Sequence, residues 1–259
     1  HFASTGFNKD IYEIVTKQKV KVTNTQKIYN NAVASTVFSY IFSFARGVHH
    51  CEFLTKQGKL NRKNYDKILS NVQDVYNQKI LIVGVGDIGK RIASTCKAME
   101  MEIFAVKKNL NSIPNFVKKT YKISQLVKAV KNKDYVINLL PLTNATKNIF
   151  NNKIFRSMKK TSFFINVGRG GTVNEKDLLS AIKRKKICGT ALDVLEREPI
   201  KNNSPLLKQS NIIITPHIAG VTNKYWSMQY ALFSKNLLRY KRGLKLLNLK
   251  KPDNLKEGY

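Results

Sequence analysis

The chain of 259 residues predicts an α/β fold built on a doubly wound parallel sheet. Three observations carry that expectation. Short apolar runs rich in β-branched side chains, bounded by glycine, proline or charge, recur from residue 79 onward and read as strands buried on both faces. They alternate with segments whose apolar residues fall at helical spacing, the pattern of successive βαβ units. The first run ends in GVGDIG (84 to 89) and passes directly into a helix.

In chain order, a short apolar opening precedes a strand VKVTN (20 to 24) and a long apolar helix over residues 30 to 50. His49 and His50 close that helix, where imidazoles suit the negative end of its dipole. The polar stretch KQGKLNRKNYDKILSNVQDVYNQ reads as a surface connection. Strand and helix then alternate: KILIVGVG (79 to 86), a helix from Ile88 to about Met99, MEIFAVKK (101 to 108), YKISQLVKAVKN (121 to 132), YVINLLP (135 to 141) and FNNKIFRSMKK (150 to 160). SFFINVG (162 to 168) is followed by the helix NEKDLLSAIKRKK (174 to 186), with Asn174 as N-cap, then by ICGTALDV (187 to 194) and NIIIT (211 to 215). A long amphipathic helix over 222 to 243 ends near Gly243, and its Tyr225, Trp226 and Tyr230 are expected to pack that helix.

A formal charge of +30, from 46 Lys and Arg against 16 Asp and Glu, favours polyanionic partners by itself. The excess runs from end to end with abundant asparagine, and no nucleic-acid motif with interleaved aromatics accompanies it. It reads as compositional drift, so no nucleic-acid partner is expected. Cys51, Cys96 and Cys188 are isolated, without a CxxC pair or a His cluster at ligand spacing, so neither a disulfide framework nor a metal site is expected. That usage fits a reducing, cytoplasmic setting. No run approaches the roughly 18 apolar residues of a membrane span, and no membrane partner is expected.

The glycine pattern gains its meaning from context. Gly84 permits a tight turn, Gly86 removes a Cβ that would strike a diphosphate, and Gly89 lets helix and strand approach, as in a Rossmann dinucleotide site. Such sites usually place an acidic residue about 20 positions on, at the tip of the second strand, to hold the ribose 2′-OH. Here that strand ends in Lys107 and Lys108, while Glu102 stands at its beginning. Two ammonium groups in place of a carboxylate favour a 2′-phosphate, so NADP is the expected cofactor and NAD the alternative.

Arg169, Glu198 and His217 each lie just past an apolar run, and in an open α/β sheet that end of the strands faces the ligand crevice. A guanidinium suits anionic oxygens, an imidazole can exchange a proton, and a carboxylate can orient that imidazole.

The runs INLLPLTNAT, FINVGRGGTVNEKDLLSAI, GTALDVLEREP and NIIITPHIAG together resemble the D-isomer-specific 2-hydroxyacid dehydrogenases, and the closing NLKEGY resembles their NADP-preferring glyoxylate and hydroxypyruvate reductase-like branch. The resemblance is dense from about Lys79 to Gly220. It implies catalytic roles for Arg169, Glu198 and His217. It further implies cofactor contacts at Gly84, Gly86, Asp87, Ile88, Gly89, Lys107, Lys108, Pro141, Val167, Gly168, Arg169, Asp193, His217 and Gly220. ASTGF (3 to 7) resembles the family's substrate-carboxylate loop, giving Thr5 and Gly6, with Arg169, as substrate contacts.

The implied organisation is part of a flavodoxin-like substrate domain with its connecting helix over residues 1 to 75, a dinucleotide-binding domain over 76 to 220, and a helix and tail over 221 to 259 returning to the substrate domain. A homodimer is also implied. The family's substrate domain has strand-helix units ahead of the ASTGF-like loop, so the chain is expected to begin inside that domain and to bind cofactor better than it turns over substrate. Two departures are visible: Ala34-Ser35 stands where Ala-Glu commonly opens the long helix, and QKIYNN lacks the usual small-residue and histidine pattern. The rival reading is a catalytically weak, corepressor-like dinucleotide sensor of the same fold.

Overall fold

A computed structural model describes residues 1–4, 15, 20–108 and 113–250. By packing, the chain forms two compact units, Val33–Ala219 and the combination of His1–Ala32 with Gly220–Tyr259. The long helix, from Val33 on, and the polar connection pack with the sheet, within the larger unit.

The larger unit holds seven strands among the described residues: β1 (Lys79–Val83), β2 (Glu102–Val106), β3 (Lys119–Tyr121), β4 (Tyr135–Asn138), β5 (Phe163–Asn166), β6 (Gly189–Leu192) and β7 (Ile212–Ile214). They form one sheet in the order β3-β2-β1-β4-β5-β6-β7, with every neighbouring pair parallel. The chain runs outward from β1 to β3 and returns to place β4 on the other side of β1. The ends of β1 and β4 therefore flank the switch point, the place where folds of this kind hold ligands.

Strand pleating explains why the runs are apolar throughout. Alternate side chains point to opposite faces, and both faces are covered. Ile80, Ile82, Ile103, Ala105, Ile137 and Ile165 pack into one core with helices α1 (Asn30–Ala45) and α4 (Asp87–Ala98). Leu81, Val83, Phe104, Val106, Val136 and Phe164 pack into the other, with α5 (Leu126–Ala129), α6 (Asn152–Ser157) and α7 (Glu175–Lys183). Phe44 of α1 stacks on Phe163 of β5 at 4.4 Å between ring centroids, which ties that helix to the sheet.

Several local expectations are corrected. The long helix breaks at Gly47, whose φ of +65° admits glycine at little cost, and a separate α2 (Val48–Lys56) follows. His49 and His50 thus lie in the first turn of α2, although His49 Nδ1 does reach the Ser43 carbonyl in the last turn of α1 at 3.0 Å. The polar connection carries a helical turn, α3 (Arg62–Tyr65), capped by the Asn61 side chain, and a 3₁₀ segment, Asp66–Asn71. Strand β3 is an addition; KTY is too short and polar for periodicity to reveal.

In the smaller unit, residues 20 to 24 make isolated bridges, Phe2 with Asn24 and Thr23 with Leu249, in place of a full strand. Helix α8 (Tyr225–Lys241) buries Gln229 and Asn236. The Asn236 amide both accepts from the Leu247 N–H and donates to the Leu247 carbonyl. Trp226 and Tyr230 are each 73% exposed, against the expectation that they pack, whereas Tyr225 stacks on Tyr29. Among the described residues no helix is long and apolar enough to cross a membrane. The closing NLKEGY lies outside the described residues.

Candidate active site

Beyond β1 the backbone turns at Gly84, whose φ of +101° excludes ordinary L side chains, and a Cβ there would stand 3.1 Å from the Leu139 carbonyl carbon. Gly89, in the first turn of α4, would place a Cβ 2.6 Å from the Gly84 oxygen, so helix and strand touch through their backbones. Gly86 differs from both. Its φ of −89° is open to any residue, and a Cβ would meet no atom within 4 Å. Neither strain nor protein packing requires glycine at 86, and the space beside it is open. The residues present fit a diphosphate, which a helix N-terminus also favours through its leading N–H groups and its dipole. Asp87 and Ile88 complete that first turn.

Strand β2 lies beside β1, and the Gly84 N–H donates to the Val106 carbonyl at 2.9 Å. Lys107, half-buried, and Lys108, exposed, follow at once, on the same edge as the glycine turn. Glu102 is at the opposite end of β2, in register with Lys79, where Lys118 Nζ at 2.7 Å holds its carboxyl below the usual range.

Contacts between backbones continue the rim from the glycine turn. A Cβ on Gly168 would lie 2.7 Å from the Leu140 oxygen, and one on Gly170 only 1.9 Å from the Leu195 oxygen. These two glycines bring the turn carrying Arg169 against the loops that follow β4 and β6. Arg169, half-buried, donates from Nη1 to the Gly168 carbonyl at 2.7 Å. Its backbone carbonyl accepts from Thr172 Oγ1 at 2.6 Å and Asn166 Nδ2 at 3.4 Å. Asn138 Nδ2 donates to both Asn166 Oδ1 and Thr172 Oγ1, at 2.9 and 2.7 Å. Asn138, Asn166 and Thr172 are buried, and this satisfied network fixes the turn.

The loop after β6 carries Glu198. Its Oε1 accepts from the Leu195 N–H at 2.9 Å, and its Oε2 lies 2.8 Å from His217 Nδ1. Glu175, at the start of α7, accepts from the Glu196 N–H at 2.5 Å, and burial pushes the Glu175 carboxyl upward. His217 and Glu198 side chains are 53% and 37% exposed, open enough to meet a solute.

His217 has φ +56°, a left-handed conformation that a residue with a side chain adopts only where its surroundings impose it. Asp193, 2% exposed, imposes it. Its backbone oxygen accepts from the His217 N–H at 2.9 Å, its Oδ1 from Thr215 Oγ1 at 2.6 Å and the Ile218 N–H at 2.9 Å, and its Oδ2 from the Ala219 N–H at 3.0 Å.

Of the other expected residues, Pro141 accepts from Thr146 Oγ1 at 2.6 Å, and Val167 packs half-buried on the core. Gly220 belongs to the smaller unit, with its Cβ position 3.4 Å from the Tyr29 ring. Thr5 and Gly6 lie outside the described residues. Sequence reading missed Asn138, Asn166 and Thr215 as organisers of the site. The signal was an asparagine inside each of two buried apolar runs, where an amide persists only when hydrogen-bonded.

The family described as "D-isomer specific 2-hydroxyacid dehydrogenase, NAD binding domain" matches residues 38–219. A glyoxylate reductase of Korarchaeum cryptofilum is 32% identical over 239 residues, covering 91% of this chain and 70% of its own. A probable 2-ketogluconate reductase of Dictyostelium discoideum is 30% identical over 224 residues, covering 85% of this chain and 65% of its own. A D-isomer specific 2-hydroxyacid dehydrogenase family protein of Aeromonas salmonicida superposes with a TM-score of 0.74 at 28% identity, over 90% of this chain and 72% of its own. An NADPH-dependent glyoxylate/hydroxypyruvate reductase of Sinorhizobium meliloti, solved with NADP and sulfate, shares the fold with a TM-score of 0.81 at 23% identity, over 98% of this chain and 79% of its own.

Proposed function

The chain belongs to the D-isomer-specific 2-hydroxyacid dehydrogenase family, and on that premise we propose that it reduces a small 2-oxo acid with NAD(P)H through Arg169, Glu198 and His217. The observation that carries the residue roles is the 2.8 Å contact between His217 Nδ1 and Glu198 Oε2 on a backbone held left-handed. With Nδ1–H donated to that carboxylate, the proton available to a substrate is the one on Nε2.

The dinucleotide, when bound, supplies the hydride. Gly84, Gly86, Asp87, Ile88 and Gly89 would hold its diphosphate, and Lys107 and Lys108 its 2′-phosphate. Pro141, Val167, Gly168, Asp193 and Gly220 would line the remainder. Arg169 clamps the substrate carboxylate and carbonyl oxygens with its planar fork of donors. His217 gives its Nε2 proton to the carbonyl oxygen as the carbonyl carbon is reduced, leaving a neutral imidazole still donating to Glu198. Glu198 holds the ring and offsets its positive charge beforehand. In the reverse direction the same nitrogen takes the hydroxyl proton.

Glyoxylate and hydroxypyruvate are the proposed substrates, supported by relatives named for glyoxylate reduction. NADP is proposed over NAD on the paired lysines after β2. A homodimer and cytoplasmic residence complete the reading. Following NADPH absorbance with a panel of 2-oxo acids tests it: turnover with glyoxylate or hydroxypyruvate is expected. Tight NADPH binding with no oxidation in the presence of any member would instead support the dinucleotide-sensor reading.

A further inference from the structure

Helix α1 reaches the segment that carries His217 with two hydroxyl groups. Tyr40 Oη lies 2.5 Å from Thr215 Oγ1, and Thr36 Oγ1 donates to the Ala219 carbonyl at 3.2 Å. Residues four apart share one face of a helix, and here they meet two residues four apart in the segment 215 to 219. His217 sits at its centre.

The direction of these bonds follows from donor counting. Thr215 has one O–H, and it is spent on Asp193 Oδ1 at 2.6 Å, so Tyr40 donates to the threonine oxygen. Burial pushes the Tyr40 phenol up to about 12, which keeps it a neutral donor across the ordinary pH range. Tyr40 is 4% exposed among Val37, Phe38, Ile41 and Phe44, a face otherwise apolar. A hydroxyl in such a place is costly unless bonded, and leucine would fill the space without it. The contact to Thr215 accounts for the tyrosine.

We propose that Thr36 and Tyr40 are positioning residues, a pair of hydroxyls on α1 that grips both ends of the segment 215 to 219 and, with Asp193 beneath its middle, holds His217 toward Glu198. The proposal rests on the reading of His217 as proton donor. Once the ends are loosened, the left-handed turn at His217 loses part of what imposes it, and the imidazole leaves its productive geometry more often.

Tyr40→Phe and Thr36→Val each remove a hydroxyl with little change of shape, and Thr36→Ser retains it. In the full chain, amide hydrogen exchange at Ile218 and Ala219 is expected to quicken about fivefold or more in the first two variants and to stay near the parent rate in Thr36→Ser, with Phe164 and Ile165 of β5 unaffected. With glyoxylate or hydroxypyruvate, kcat is expected to fall roughly tenfold while the Kd for NADPH stays within about twofold. Unchanged exchange at Ile218 and Ala219 overturns the proposal. So does equal acceleration in β5, which marks general loosening, and so does faster exchange with parental kcat. If Tyr40→Phe does not fold, the Thr36→Val and Thr36→Ser pair decides alone. If the parent chain turns over no 2-oxo acid, the enzymatic reading fails, and with it the assignment of His217 that the proposal serves, while the exchange data still report whether the hydroxyls hold the segment.

Discussion

Replacing Gly86 with alanine separates a glycine kept for a ligand from one kept for the protein. The backbone at 86, with φ −89° and ψ −157°, accepts a side chain, and the added methyl meets no protein atom within 4 Å. Alanine restricts the unfolded chain, a gain of roughly 0.4–1 kcal/mol, while glycine is the better helix N-cap by a comparable amount. The two effects nearly offset, so stability should move by under about 1 kcal/mol, or roughly 2–4 °C in Tm. The methyl instead enters the space assigned to the diphosphate. Overpacking of that kind costs about 1–3 kcal/mol, which weakens NADPH binding roughly 5- to 150-fold. Fluorescence titration with NADPH and a thermal melt on the same sample read both quantities. An unchanged Tm with Kd within twofold of the parent would refute the assignment of that space. Gly89→Ala is the contrast, since its methyl would lie 2.6 Å from the Gly84 oxygen and should destabilise the protein without any ligand.

Gly170→Ala would force a methyl to 1.9 Å from the Leu195 oxygen, and the turn bearing Arg169 must separate from the loop bearing Glu198; a Tm lower by several degrees is expected in a thermal melt. Lys107→Ala should raise the Kd for NADPH by about tenfold or more, as loss of a charge-assisted contact, and leave the Kd for NADH within about threefold in parallel titrations. Alkaline stability has a defined sign. Burial raises the Tyr40 and Tyr135 phenols from the ordinary 10.0 to about 12, so the folded state holds protons that the unfolded state releases. Their contribution is fully present below pH 10 and is lost as pH rises toward 12, which circular dichroism during an alkaline titration should show, with Tyr40→Phe softening the loss.

The sheet was legible because its strands are buried on both faces, so each appears as an unbroken apolar run with a turn signal at its end. KILIV, YVIN and FFIN fall on β1, β4 and β5. KTY at β3 escaped because an edge strand of three residues, one of them an exposed lysine, has neither length nor pattern. The break at Gly47 was hidden within an apolar stretch, where a single glycine is compatible with a continuous helix until packing decides. At the site, Glu198 and His217 were legible as polar residues stranded after buried runs, and the structure joins them through Nδ1 and Oε2. What holds them was not legible. The Asp193 carboxylate acts through two backbone N–H groups and a threonine, and Tyr40 lies 175 positions from the Thr215 it touches, a pairing that no local pattern encodes.

Steady-state kinetics of His217→Ala bear most directly on the central claim. With NADPH and a 2-oxo acid that the parent chain reduces, kcat should fall by roughly 10²- to 10⁴-fold while NADPH still binds within a few-fold of the parent affinity. Turnover within twofold of the parent would contradict the assignment of His217 as the group that protonates the substrate.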